Sequence, residues 1–138
     1  MRRYILPVLV VLLLLGGCAT QKGKREKSLD LILSRYASAL RWNSFEDGFQ
    51  FVDPEWLKAH PLTSVDIQRY RQVRVSSYNA NPPVPTGPDD VEQLVQIGVI
   101  NEHSQSERSI IDRQHWHWDE ANLRWWLTTG PPDITRHD

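Results

Sequence analysis

Three patterns of apolar spacing follow one another along the chain. The first is an apolar run from Ile5 to Leu15, broken only by Pro7. It has the length of a signal-peptide hydrophobic region and is too short to span a bilayer comfortably as a helix. The second is helical. Leu29, Ile32, Leu33, Tyr36 and Leu40 recur every three or four residues, which predicts an amphipathic helix over 28–41. Short helical turns should follow. Ser44 with Asp47 resembles a capping box and would open a helix whose Phe45 and Phe49 share a face. Asp53-Pro54 supplies an N-cap and a first-turn proline for a turn through Trp56 and Leu57, which His60-Pro61 ends. Thr63 with Asp66 caps one more turn toward Tyr70, unless a strand already starts there. The third pattern has period two. Strands are expected over 72–78, 91–101, 109–118 and 123–128, with a Pro- and Asn-rich loop over 79–90. Helices first and an antiparallel meander second make an α+β domain, with its helices packed on a sheet of about four strands.

The last two strands can be registered from sequence. A turn at Asp119-Glu120-Ala121-Asn122 would set Trp118 opposite Leu123, Trp116 opposite Trp125 and Gln114 opposite Leu127. That side is the expected core face. His117 would then face Arg124, and His115 would face Trp126, on the other side. A one-residue slip would mix the two faces, which the strict alternation penalises.

Composition changes this picture little. The chain of 138 residues is 40% hydrophobic and 24% charged, with a net charge of −1 and six tryptophans. One domain fits that length. The near-balanced charge lacks the basic footprint of a nucleic-acid binder, so no nucleic-acid partner is expected.

The N-terminus carries the sharpest motif. Arg2 and Arg3 precede the apolar run, which ends in Leu15-Gly16-Gly17-Cys18-Ala19 with the only cysteine of the chain. These residues resemble the lipobox of bacterial lipoproteins. The resemblance implies cleavage between Gly17 and Cys18 and acylation of Cys18. Several acyl chains on one residue would anchor it durably to a membrane. Cleavage removes two arginines and no acid, so the net charge moves from −1 to −3. With its single cysteine acylated, the domain forms no disulfide. Ala19, in place of the aspartate that retains lipoproteins at the inner membrane, implies an outer-membrane address with the domain facing the periplasm. The expected organisation is a signal peptide over 1–17, a lipidated cysteine and basic tether over 18–27, a domain over 28–133 and a polar tail over 134–138. Fully extended, residues 19–27 would reach only about 30 Å.

The long first helix, the short second one at 44–51 and the closing hairpin carry a second resemblance. Gln114-His115-Trp116-His117-Trp118 followed by Arg124-Trp125-Trp126-Leu127 is similar to the nuclear transport factor 2-like (cystatin-like) superfamily, in particular its uncharacterised proteobacterial lipoproteins. The resemblance covers about 28–131 and implies a curved sheet around the first helix, forming a conical pocket.

Asp112, Gln114, Trp116 and Trp125 are the candidate pocket residues. Asp112 shares its parity with Ile110, Gln114 and Trp116, and so points to the concave side. A buried carboxyl there could act as a general base, as acidic residues do in enzymes of the superfamily such as ketosteroid isomerases and scytalone dehydratases. The plainer expectation is an Asp112 paired with Arg113, Arg69 or Arg71, or bonded to backbone groups. No catalytic set transfers, and no enzyme activity or cofactor is expected. His115 and His117 have a zinc-ligand spacing on one strand face. Arg124 beside His117 would oppose a divalent ion, so no metal is expected, although His103 could lie near as a third ligand. The favoured function is binding of an envelope protein partner or a small apolar ligand. A small isomerase, dehydratase or hydrolase, and an accessory subunit of an envelope machine, are the alternatives.

Overall fold

The computed structural model describes residues 5–135, with side chains from Thr20 onward. The chain divides into two compact units, residues 1–33 and 34–138. Helix α1, Ile5–Ser38, supplies the first unit and opens the second, where Ala39–Asn43 continues it as a π-helical turn. The segment expected to be a tether is helical from Thr20 to Lys27. Its Lys, Arg, Glu and Gln residues are good helix formers, and nothing there stops a helix once begun. A helix rises about 1.5 Å per residue, so this stretch reaches less than half as far as an extended linker. No helix among the described residues is long and apolar enough to cross a membrane.

Each expected cap is present. Ser44 Oγ accepts from Asp47 N and opens α2, Phe45–Gly48. Asp53 accepts from Glu55 N, with Pro54 at the start of α3, Pro54–Ala59. Thr63 and Asp66 close a reciprocal capping box at α4, Ser64–Arg71, which settles that segment as helix. Phe45 and Phe49 both meet the ring of Tyr70, at centroid distances of 5.4 and 5.3 Å.

The fold is α+β, with helices packed on a strongly curled antiparallel sheet. Its strands are β1 (Val73–Ala80), β2 (Val84–Pro85), β3 (Asp90–Asn101), β4 (Glu107–Asp119) and β5 (Arg124–Leu127). The order is β1-β3-β4-β5, and β2 pairs with the start of β3 beyond the end of β1. The loop expected over 79–90 thus contains a fifth, two-residue strand. Val91, Val95, Ile97 and Val99 from β3, Ile110, Trp116 and Trp118 from β4, and Trp125 and Leu127 from β5 are buried against Tyr36, Leu40, Phe45 and Phe51. Tyr36 meets Phe51 and Trp116 edge-on at 5.5 and 5.3 Å, a favourable arrangement of ring quadrupoles.

A β-bulge between Val75 and Ser77 turns the parity of β1. Before it Val75 opposes Val99; after it Tyr78 opposes Ile97. Tyr78 is thereby brought to the inner face, where unbroken alternation would have sent it outward. Gly98 lies opposite the bulge, where a Cβ would meet the hydroxyls of Ser76 and Ser77 and oblige them to turn aside. At the other end Gly130, with φ of +79°, lies under the Trp56 ring and leaves no room for a Cβ. The strap that follows is part of the core. Pro132 and Ile134 are buried, Tyr70 Oη donates to Pro132 O at 2.9 Å, and Arg108 donates to Ile134 O. Ile134, the first residue of the expected tail, is thus buried and hydrogen-bonded. Residues 136–138 of the expected tail lie outside the described residues.

The closing hairpin departs from expectation by two residues. Trp118 opposes Trp125, Trp116 opposes Leu127, His117 opposes Trp126 and Asp119 opposes Arg124. Apart from Leu123 both faces are as expected, but the partners are not. Asp119 causes the shift. Its Oδ1 accepts from the backbone N of Ala121 and Asn122 at 3.0 and 3.1 Å, which fixes a tight turn just after the strand. Leu123 completes the turn at φ of 51° and is 66% exposed, so it leaves the core face assigned to it.

Candidate functional site

A polar chain crosses the inner face of the sheet, built from β1 and β4. Trp116 Nε1 donates to Gln114 Oε1 at 3.2 Å. Gln114 Nε2 donates its two protons to Asp112 Oδ2 at 2.8 Å and to Tyr78 Oη at 3.0 Å. Gln114 is fully buried and fully satisfied. Asp112, Gln114 and Trp116 are thus joined, as alternate residues of one strand face should be. Trp125, the fourth candidate, is elsewhere: it packs edge-on against Trp118 at 5.5 Å. Tyr36 and Tyr78 belong to the site and were not among the candidates. Tyr36 reads as one more core position of a helix, and Tyr78 is placed by the bulge.

The electrostatics are unusual for a core. Burial raises the Asp112 carboxyl to about 6, and the Gln114 hydrogen bond offsets only part of that rise. Among the described residues no arginine relieves it. Arg113 pairs with Glu92 at 3.7 Å, Arg69 with Asp66 at 3.6 Å and Arg71 with Glu46 at 2.5 Å. The expected pairing of Asp112 with one of these three is therefore wrong, because each sits beside a nearer carboxylate. Burial also pushes the Tyr36 phenol well up, with the charge of Asp112 adding to it. The Tyr36 hydroxyl is buried and has no hydrogen-bond partner among the described residues. An orphaned hydroxyl costs about 1–3 kcal/mol. Tyr36→Phe is therefore expected to raise the unfolding free energy by about 1–2 kcal/mol in urea melts. A loss of that size would mean that the hydroxyl is bonded in solution.

A second cluster sits on the outer face. His117 Nδ1 is 2.8 Å and His115 Nε2 is 3.3 Å from the same oxygen, Asp90 Oδ1. His115 Nδ1 meets Thr128 Oγ1 at 2.6 Å, and that hydroxyl also donates to His115 O at 3.1 Å. Arg124 is not the strand partner of His117. It opposes Asp119, and its guanidinium lies 3.5 Å from the centroid of the ring of Trp126, the residue opposite His117. His103 is at the far end of the β3–β4 pair, in the turn beyond Asn101, whereas His115 opposes Glu92. Beside His117 a groove of about 500 Å³ is walled by Asp53, Glu55, Asp89, Asp119 and Glu120. Among the described residues, no three His, Cys, Asp or Glu side chains stand ready around one point for a metal ion.

No family model, curated protein or solved structure matches this chain. What the sites can do accordingly rests on their own side chains. The inner cluster combines a carboxyl that titrates near neutrality, a free phenol and apolar walls. Its groups are hydrogen-bond donors and acceptors within the core, and Asp112 is the one whose protonation changes near neutrality. Gly17 and Cys18, the expected cleavage and lipidation positions, lie outside the residues whose side chains are described.

Proposed function

We propose that this chain is an exported lipoprotein of the nuclear transport factor 2-like type, acylated on Cys18 and held at the outer membrane. Its domain faces the periplasm and binds a small, largely apolar ligand without transforming it. The address is supported by Leu15-Gly16-Gly17-Cys18-Ala19 behind a basic and apolar leader. The binding role is carried by one observation: the Tyr36 hydroxyl is buried and has no hydrogen-bond partner among the described residues. A core without disulfides gains nothing from an unmet hydrogen bond, whereas a ligand carrying a carbonyl or hydroxyl would complete it.

Cys18→Ser is expected to abolish incorporation of radiolabelled palmitate and membrane fractionation together. Label retained by the variant would remove the lipoprotein reading. For the ligand, native mass spectrometry of the purified chain should show a bound small molecule that Tyr36→Phe weakens. Binding indifferent to Tyr36 would remove the inner cluster as the site. The enzyme reading stands second, favoured by an Asp112 carboxyl raised to about 6, the range of a general base. A substrate whose turnover vanished in a folded Asp112→Asn protein would bring it first.

A further inference from the structure

Among the described residues one Phe, Tyr or Trp ring is exposed. Trp42, in the π-helical turn that follows α1, is 73% exposed. Its neighbours Ala39 and Leu40 are buried, so helical spacing carries the ring to the outside. Arg41 lies over it, with the guanidinium carbon 4.9 Å from the ring centroid. Counting back by four and then three, Ser38 and Arg35 share that side and are exposed. The first unit carries a set of the same kind on the same spacing. Leu31, Lys27 and Lys24 are all exposed there, Leu31 at 52%. No Asp or Glu falls on this spacing from Lys24 to Trp42. Glu26 and Asp30 sit more than a quarter turn away from it. The outward residues thus combine cations with an aromatic and an aliphatic side chain, and carry no acid.

We propose that this side of the helix docks on the surface of a bilayer containing anionic phospholipid, with Trp42 at the depth of the headgroups and Arg35 and Arg41 on their phosphates. An indole is apolar over most of its area and has one donor, which suits the boundary between headgroup and acyl chain. Arginine pairs with phosphate through two parallel hydrogen bonds, and its apolar stem can lie along the surface meanwhile. A soluble polyanion would meet the cations and leave Trp42 and Leu31 in water, whereas a bilayer surface takes both kinds of side chain. The helix rests on the membrane rather than crossing it, since no described helix is long and apolar enough to span one. Tyr36 and Leu40 leave the same helix on the buried side, so docking does not disturb the core. The inference rests on the lipoprotein reading for its place in the cell. Acyl chains on Cys18 would hold this surface beside a bilayer at high effective concentration, so weak contacts suffice to decide which side meets the membrane.

The test uses the full chain carrying Cys18→Ser and Ser38→Cys, which leaves one thiol, on the proposed face, for a nitroxide label. It is bound to vesicles of phosphatidylethanolamine and phosphatidylglycerol, or of phosphatidylcholine alone. The apolar run from Ile5 to Leu15 attaches the chain to both, so the surroundings of the label are read rather than total binding. Electron paramagnetic resonance should find the label at residue 38 at least about fivefold less accessible to a water-soluble nickel complex on the anionic vesicles, the effect of roughly one cation near such a surface. A label placed by Val84→Cys, a position 60% exposed on β2, should stay accessible on both. Trp42→Ala, and separately Arg35→Glu with Arg41→Glu, should return the label at residue 38 to water. The comparison of vesicles needs neither variant, so a misfolded one cannot mask the answer. Equal accessibility on the two kinds of vesicle overturns the docking, as does shielding that survives both sets of substitutions. Spin–spin broadening in solution without vesicles also overturns it, since a second copy of the chain would then cover the face. Palmitate incorporation is measured on the chain with Cys18 intact, so the lipoprotein reading and the docking can fail separately.

Discussion

Trp116→Ala and Trp125→Ala are each expected to lower the unfolding free energy by about 3–5 kcal/mol, the range for deleting a buried aromatic. Trp116 has no exposed surface and Trp125 has 5%. Trp116 also touches Tyr36 edge-on and donates to Gln114, so its loss both opens a cavity and strands a buried amide oxygen. Trp125 closes the other end of the core against Trp118. Trp126, on the opposite face, is partly exposed. It is covered by Arg124 and donates to Asp119 Oδ2 at 3.1 Å. Its replacement by alanine should cost only about 1 kcal/mol, the worth of one cation–π contact and one hydrogen bond near the surface. Denaturant melts of the three variants check this. Equal losses at Trp125 and Trp126 would contradict the assignment of sheet faces.

Asp112→Asn is expected to make the domain more stable at pH 8, by up to about 3 kcal/mol. Were Asp112 ion-paired, the same substitution would destabilise. The sign follows from the direction of the shift. The carboxyl titrates at about 6 in the fold and near 3.9 in an unfolded chain. The folded state therefore holds the proton more tightly, and its advantage is complete below pH 4. That advantage is lost as pH rises through 6, two units at about 1.4 kcal/mol each. Asparagine keeps an acceptor for Gln114 Nε2 and cannot ionise. Its stability should lack the fall between pH 4 and 6 that Asp112 imposes on the wild type. Urea midpoints at pH 5 and pH 8 decide it, and a variant less stable at pH 8 would mean that Asp112 has a cationic partner in solution.

A carboxyl that costs stability at neutral pH, and a buried phenol without a partner among the described residues, are departures from the consistency that folding alone would favour. Such departures collect at functional sites. These departures support the proposal that a ligand would bind at the inner cluster.

Much was legible in the residues themselves. The caps at Ser44, Asp53 and Thr63 act within three residues of chain, so their chemistry is written locally. The alternation of Val95, Ile97 and Val99, and of Trp116, Trp118, Trp125 and Leu127, fixed which side of each strand is buried, because burial obeys parity. The parity of Asp112 with Gln114 and Trp116 placed all three on the inner face for the same reason. Parity is silent on register, however, since a shift of two residues preserves every face. Only the hydrogen bonds of Asp119 decided that Trp118 meets Trp125 and that Arg124 leaves His117. The bulge at Ser76, which brings in Tyr78, depends on what β3 offers across the strand pair, namely Gly98. The partners of Arg69, Arg71 and Arg113, which leave Asp112 without a cation, were likewise beyond reach of the sequence. Local propensity and period are properties of one segment, whereas register, bulges and ion pairs are choices between segments that only the packed sheet makes.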